Sequence, residues 1–115
     1  MANEFNRKYN IADGDTKMIV HKNGTGKNPT VVSVQLITDA TFDGNNTKAK
    51  LLQSNDPELD VDLWNELPEN PITLNTGAGS ALLQTLSFTC GYLAVSIEAG
   101  NATTGVITII EQYNG

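Results

Sequence analysis

The chain has 115 residues, 17% of them charged and 6% aromatic, with ten glycines; that is the length of one domain and a mix favouring strands and turns over long helices. A net charge of −6 without a Lys/Arg cluster argues against a nucleic-acid partner, since a phosphate backbone is repelled on average. No stretch approaches the roughly 18 apolar residues of a membrane span, and the N-terminus lacks an apolar signal core, so synthesis in a cytoplasm and no membrane partner are expected.

In chain order, residues 1–16 are polar, with Phe5, Tyr9 and Ile11 spaced along them. This segment reads as an extended N-terminal arm preceding a single β domain over 17–115, and its three apolar side chains are the candidate anchors for docking on a partner. Residues 17–21 form a short strand and 22–29 a loop with two glycines and a terminal proline. Residues 30–38 alternate Val32, Val34 and Leu36 against Val31, Ser33 and Gln35, the pattern of a half-buried strand. Asp43-Gly44 is a turn signal, after which residues 48–54 are expected to pair back on the preceding strand.

Residues 55–71 fit two descriptions. Asp56 and Pro57 suit a helix start with Leu59, Leu63 and Leu67 on one face, whereas Leu59, Val61 and Leu63 alternate with Asp60 and Asp62 as a strand would. A loop leading into a strand at about 61–67 is the favoured one. Residues 72–74 are a short strand and 75–80 a flexible loop; Gly77-Ala78-Gly79 lacks the third glycine and following helix of a dinucleotide-binding turn.

Residues 81–113 read as three consecutive antiparallel strands. In the first, Leu82, Leu86 and Phe88 share a face and Leu83 falls out of step, which a bulge near Gln84 would explain. In the second, Leu93, Val95 and Ile97 are the apolar face. The third, Val106 to Ile110, is apolar on both faces except at Thr108, so it is expected to be central or to meet another subunit. The Gly/Thr-rich loop 100–105 between the last two predicts a hairpin.

Residues with chemical potential are few. His21 is the single histidine and reads as a half-exposed strand residue; no catalytic group and no metal or other cofactor is predicted. Cys90, the single cysteine, cannot form an intrachain disulfide and reads as buried filler. Asp56, Glu58, Asp60 and Asp62 recur at every second position but lack the glycine and terminal Glu of a calcium loop, so a solvated face is expected. The Asn-x-Thr triplets at Asn23, Asn45 and Asn101 would accept glycans only in a secretory pathway. Trp64, the single tryptophan, reads as core or a lid over it, the alternative being a ligand platform shared with Tyr92.

About eight short strands with closely spaced turn signals predict an all-β fold, an antiparallel β-sandwich, jelly-roll-like. Three stretches, Leu51-Leu52-Gln53-Ser54-Asn55-Asp56, Trp64-Asn65-Glu66-Leu67-Pro68 and Gly91-Tyr92-Leu93-Ala94-Val95 followed by a Gly/Thr-rich turn and a last strand, resemble a recurrent module of tailed-bacteriophage structural proteins. The similarity runs over about residues 31–115; the insertion 57–62 departs from it and the N-terminal segment lies outside it. What the resemblance implies is a non-catalytic virion structural protein, a capsid decoration (auxiliary capsid) or head-fibre protein. It would be made in the host cytoplasm, sit on the virion surface and dock on the major capsid protein or other virion proteins, with a homo-oligomer as a further option. The alternative expectation is a carbohydrate-binding or tail/adhesion module using Trp64 and Tyr92.

Overall fold

A computed structural model describes residues 4–22, 31–56, 58, 60, 63–67, 72–85 and 91–113. They form nine strands: β1 (Glu4–Asn10), β2 (Thr16–Lys22), β3 (Val32–Thr38), β4 (Thr47–Ser54), β5 (Asn65–Glu66), β6 (Ile72–Leu74), β7 (Gly79–Gln84), β8 (Tyr92–Glu98) and β9 (Val106–Tyr113). Two antiparallel sheets result, one ordered β1-β9-β3-β7 and the other β2-β8-β4 with β5 and β6 on its outer edge. β5 pairs with one end of β4 (Leu52, Gln53) and β6 with the other (Thr47–Ala49), so the two act as one interrupted edge strand. Counting β5 and β6 as one, eight strand positions that change sheet at every connection except the one from β4 to β5 make a jelly roll, as expected.

The alternation follows from side-chain chemistry. In β3 the inward set Val32, Val34, Leu36 and Thr38 is buried while Ser33, Gln35 and Ile37 face outward. β8 and β9 contribute Leu93, Val95, Ile97, Ile107 and Ile109 to the same core, all fully buried, and facing apolar rows of this kind are what hold a sandwich together. The predicted central position of the last strand is observed: β9 lies between β1 and β3.

Several expectations are corrected by the connectivity. No two consecutive strands from β6 onward pair with each other, so 81–113 is not a meander, and the hairpins expected at 43–44 and at 100–105 are instead crossovers between sheets. The reason lies in the loops. Phe42 leaves the surface to plug the core, and the two connections are tied together by Asp43. Its Oδ1 accepts from the backbone N–H of Thr103 at 2.8 Å and of Thr104 at 3.0 Å, and its other oxygen takes the Thr103 hydroxyl. Gly105 sits at φ +126 against the ring-bearing residue, where a Cβ would lie 2.6 Å from Phe42 Cα, so this crossover accepts only glycine.

The N-terminal segment is corrected too. Residues 4–10 are not a separate arm but the edge strand β1, in register with β9 from Glu4↔Gln112 to Asn10↔Val106. Ile11, in the 3-10 turn that follows, is fully buried. The phase of β7 is the reverse of the prediction: Leu83 is buried and Leu82 is 57% exposed, with unbroken register to β3 through Gln84. Of the strand expected at about 61–67, the described residues 63–67 show strand at Asn65–Glu66; residues 61 and 62 lie outside the described ones. Cys90, Leu86, Phe88 and Asn23 lie outside the described residues.

Candidate functional site

β2 carries a register shift between Ile19 and His21, opposite Ala94 and Leu93, and a bulge of this kind re-aims the side chain that follows it. His21 is thereby turned into the sandwich, only 6% exposed rather than half-exposed as its strand position suggested. There its Nδ1 lies 2.7 Å from Glu111 Oε2 on β9, and the pair ties one sheet to the other. Burial pushes the Glu111 carboxyl above the usual carboxylate range, while the hydrogen bond and charge of His21 and the backbone N–H of Phe5 pull it down. Glu111 escaped the sequence reading because it closes an apolar run on the last strand; its place one step beyond Ile107 and Ile109 in a period of two was the available signal.

The proposed anchors are committed within the chain. Phe5 and Tyr9 are half-buried against the core and Ile11 belongs to it. The Arg7 guanidinium stands 5.0 Å from the Phe5 ring centroid, and the Tyr9 hydroxyl donates to the Gly14 carbonyl. Ile11 is therefore corrected from a docking side chain to a core residue, while Phe5 and Tyr9 pack on the sandwich edge with part of their surface exposed. Trp64 is 5% exposed and packs with Leu52 and Ala94 on the outer face of the five-stranded sheet, with Ile19 and the half-buried Tyr92 against it. That is the lid expected of it, and the indole keeps little surface for a stacking platform with Tyr92. Elsewhere on this face Lys50 lies 3.6 Å from Glu66 and 3.7 Å from Glu98. Asp56, Glu58 and Asp60 are exposed, and no group of His, Cys, Asp and Glu suited to a metal ion occurs among the described residues.

The outer face of the four-stranded sheet is different in character. Register places Asn6, Ile110, Gln35 and Leu82 in one row across all four strands, with Glu4, Gln112, Ser33 and Gln84 in the next and Lys8, Thr108, Ile37 and Ser80 on the other side. A shallow depression of about 520 Å³ is lined by Asn6, Ser33, Gln35, Leu82, Ile110 and Gln112. Its amides can both donate and accept hydrogen bonds. Sequence reading placed Ser33, Gln35, Leu82 and Ile110 by strand phase alone and named none of the six as a ligand-binding residue, because an outward amide on a strand is the default for a solvated face.

No protein-family model and no curated protein matches the chain. Among solved structures it is similar to one described as Bacillus endospore appendages forming a novel family of disulfide-linked pili, at 14% identity over 99% of this chain and 87% of that one, TM-score 0.49. It is also similar to one described under CBM4 structure and function, at 15% identity over 84% and 67%, TM-score 0.44. At such identities and scores neither likeness assigns a function to this chain.

Proposed function

We propose that the chain is a non-catalytic structural subunit displayed on a tailed-bacteriophage particle, as a capsid decoration or head-fibre component. The observation that carries the structural half is where its inward polar groups go: they tie the sandwich to itself. Glu111 meets His21 between the sheets, the Thr38 hydroxyl donates to the Gly77 carbonyl and that of Thr47 to Ala99, while at the surface Asp39 and Asp43 cap the loops. Chemistry of this kind rigidifies a scaffold. The particle setting is supported by the residue resemblance in 51–56, 64–68 and 91–95.

Attachment through the β1 edge is the form of docking the geometry favours. β1 ends its sheet, and exposed Arg7 and Lys8 are adjacent cations on a chain of net charge −6, suited to an acidic rim on a capsid protein. Immunogold electron microscopy of particles from the source phage tests the assignment: label spaced over the shell supports it, and unlabelled particles overturn it. On labelled particles, the paired reversal Arg7→Glu/Lys8→Glu is expected to lower incorporation at least tenfold; unchanged incorporation would move attachment off β1. Deleting the segment would be a poor substitute, since its loss strips β9 of a neighbour and, if carried through residue 15, removes Ile11 from the core.

A further inference from the structure

The face built by Asn6, Ser33, Gln35, Leu82, Ile110 and Gln112 is set apart by charge. Among the residues of its four strands, the charged ones at outward register positions are Glu4 and Lys8, both on the edge strand. Yet the chain has thirteen acidic residues, and those described elsewhere lie in loops, on the other sheet or, as Glu111, inside. The depression itself is lined by no charged side chain, Lys8 lying beside it on the edge strand, so it is matched to a neutral ligand rather than to one that needs a counter-charge within the site. The remaining chemistry narrows the class. Exposed Asn6, Gln35 and Gln84 and the hydroxyls of Ser33, Ser80 and Thr108 present donors and acceptors side by side, as a polyhydroxylated ligand does. Between them Ile110 is half-buried and Leu82 is 57% exposed, an aliphatic floor on which the C–H face of a sugar ring can rest. Four strands at about 4.8 Å spacing make the row Asn6–Ile110–Gln35–Leu82 roughly 14 Å across, room for more than one ring.

We propose that the outer face of the β1-β9-β3-β7 sheet binds a neutral glycan chain, held by the amides of Asn6 and Gln35 over Ile110 and Leu82. The inference does not rest on the particle assignment. It places sugar binding on the opposite sheet from Trp64.

The test is a two-dimensional 15N NMR titration of the full chain with cellohexaose, maltohexaose, chitohexaose and a mannan oligosaccharide, with polygalacturonate as the charged control. With at least one neutral probe, the side-chain amide signals of Asn6, Gln35 and Gln84 are expected to shift saturably while polygalacturonate leaves them still. Gln35→Ala and Ile110→Ala should each weaken that binding at least tenfold with the rest of the spectrum intact, whereas Lys48→Ala on the other sheet should not. Silence of these amides with all four neutral probes overturns the proposal, as do shifts confined to another surface. So does concentration-dependent self-association that Leu82→Lys abolishes, since the face would then be an interface between copies.

Discussion

At the scale of single residues, the His21–Glu111 pair is the feature with the largest expected effect. Removing one partner of a buried pair takes from the other the contact that offset its desolvation, so Glu111→Ala is expected to cost about 3 kcal/mol in chemical denaturation. The double change His21→Leu/Glu111→Met should recover most of that loss, because an apolar pair of similar size removes both desolvation terms. Two carboxyls give the pH dependence opposite signs. Asp43, whose bonds to Thr103 and Thr104 hold it down to about 2, contributes stability that is present above the ordinary aspartate value of 3.8 and lost as pH falls toward 2. Glu111, raised by burial from an ordinary 4.5, contributes stability present below that value and lost as pH rises through its folded one. Thermal unfolding followed against pH should therefore fall steeply below about 4, and Asp43→Asn should flatten that limb.

At the scale of elements, what was legible in the sequence is what a period of two can carry. Val32, Val34 and Leu36, and later Leu93, Val95 and Ile97, were assigned their inward faces correctly because each alternates without interruption. Leu82-Leu83 reads the wrong way round: two adjacent leucines leave the phase open, and Leu86 and Phe88 downstream favour the opposite phase to the one Ala81 upstream supports. His21 was misplaced for a related reason, since a bulge adds one residue and inverts everything after it. The loops misled most. Asp43-Gly44 and Gly100 to Gly105 have the composition of hairpin turns, but a connection's composition says that the chain reverses and not which sheet it joins. The lid over the five-stranded sheet is testable through its indole: acrylamide should quench Trp64 fluorescence several-fold less efficiently than it quenches free tryptophan, and Leu52→Ala should raise that efficiency by loosening the contact.

At the scale of the whole molecule, the sandwich class was legible from strand number and turn spacing, whereas the candidate binding face was not. A neutral patch is visible only once four strands from separate parts of the chain lie side by side, with the carboxylates of residues 13, 15, 39, 43 and 98 seen to fall elsewhere. The N-terminal segment was detached in the sequence reading because its polar residues outnumber its apolar ones, as they do on any edge strand that packs by one face only. Removal of residues 1–10 is accordingly expected to lower the midpoint of thermal unfolding by more than 10 °C, since a loss of a few kcal/mol shifts a domain of this size by roughly that much; an unchanged midpoint would restore the view of a dispensable arm.

The antiparallel match of β1 with β9 has a mechanical side. Glu4 lies opposite Gln112, so tension applied through those two points loads the rungs between the strands one after another, as a zipper is opened, instead of all at once in shear. Pulled between handles at residues 4 and 112, the chain should yield at low force with β1 and β9 parting first. Pulled between residue 4 and the far loop at Asn101, where the same bonds are loaded together, it should resist several times more. A subunit tethered by its terminal end alone, with the crossover loops facing outward, never experiences the weaker mode.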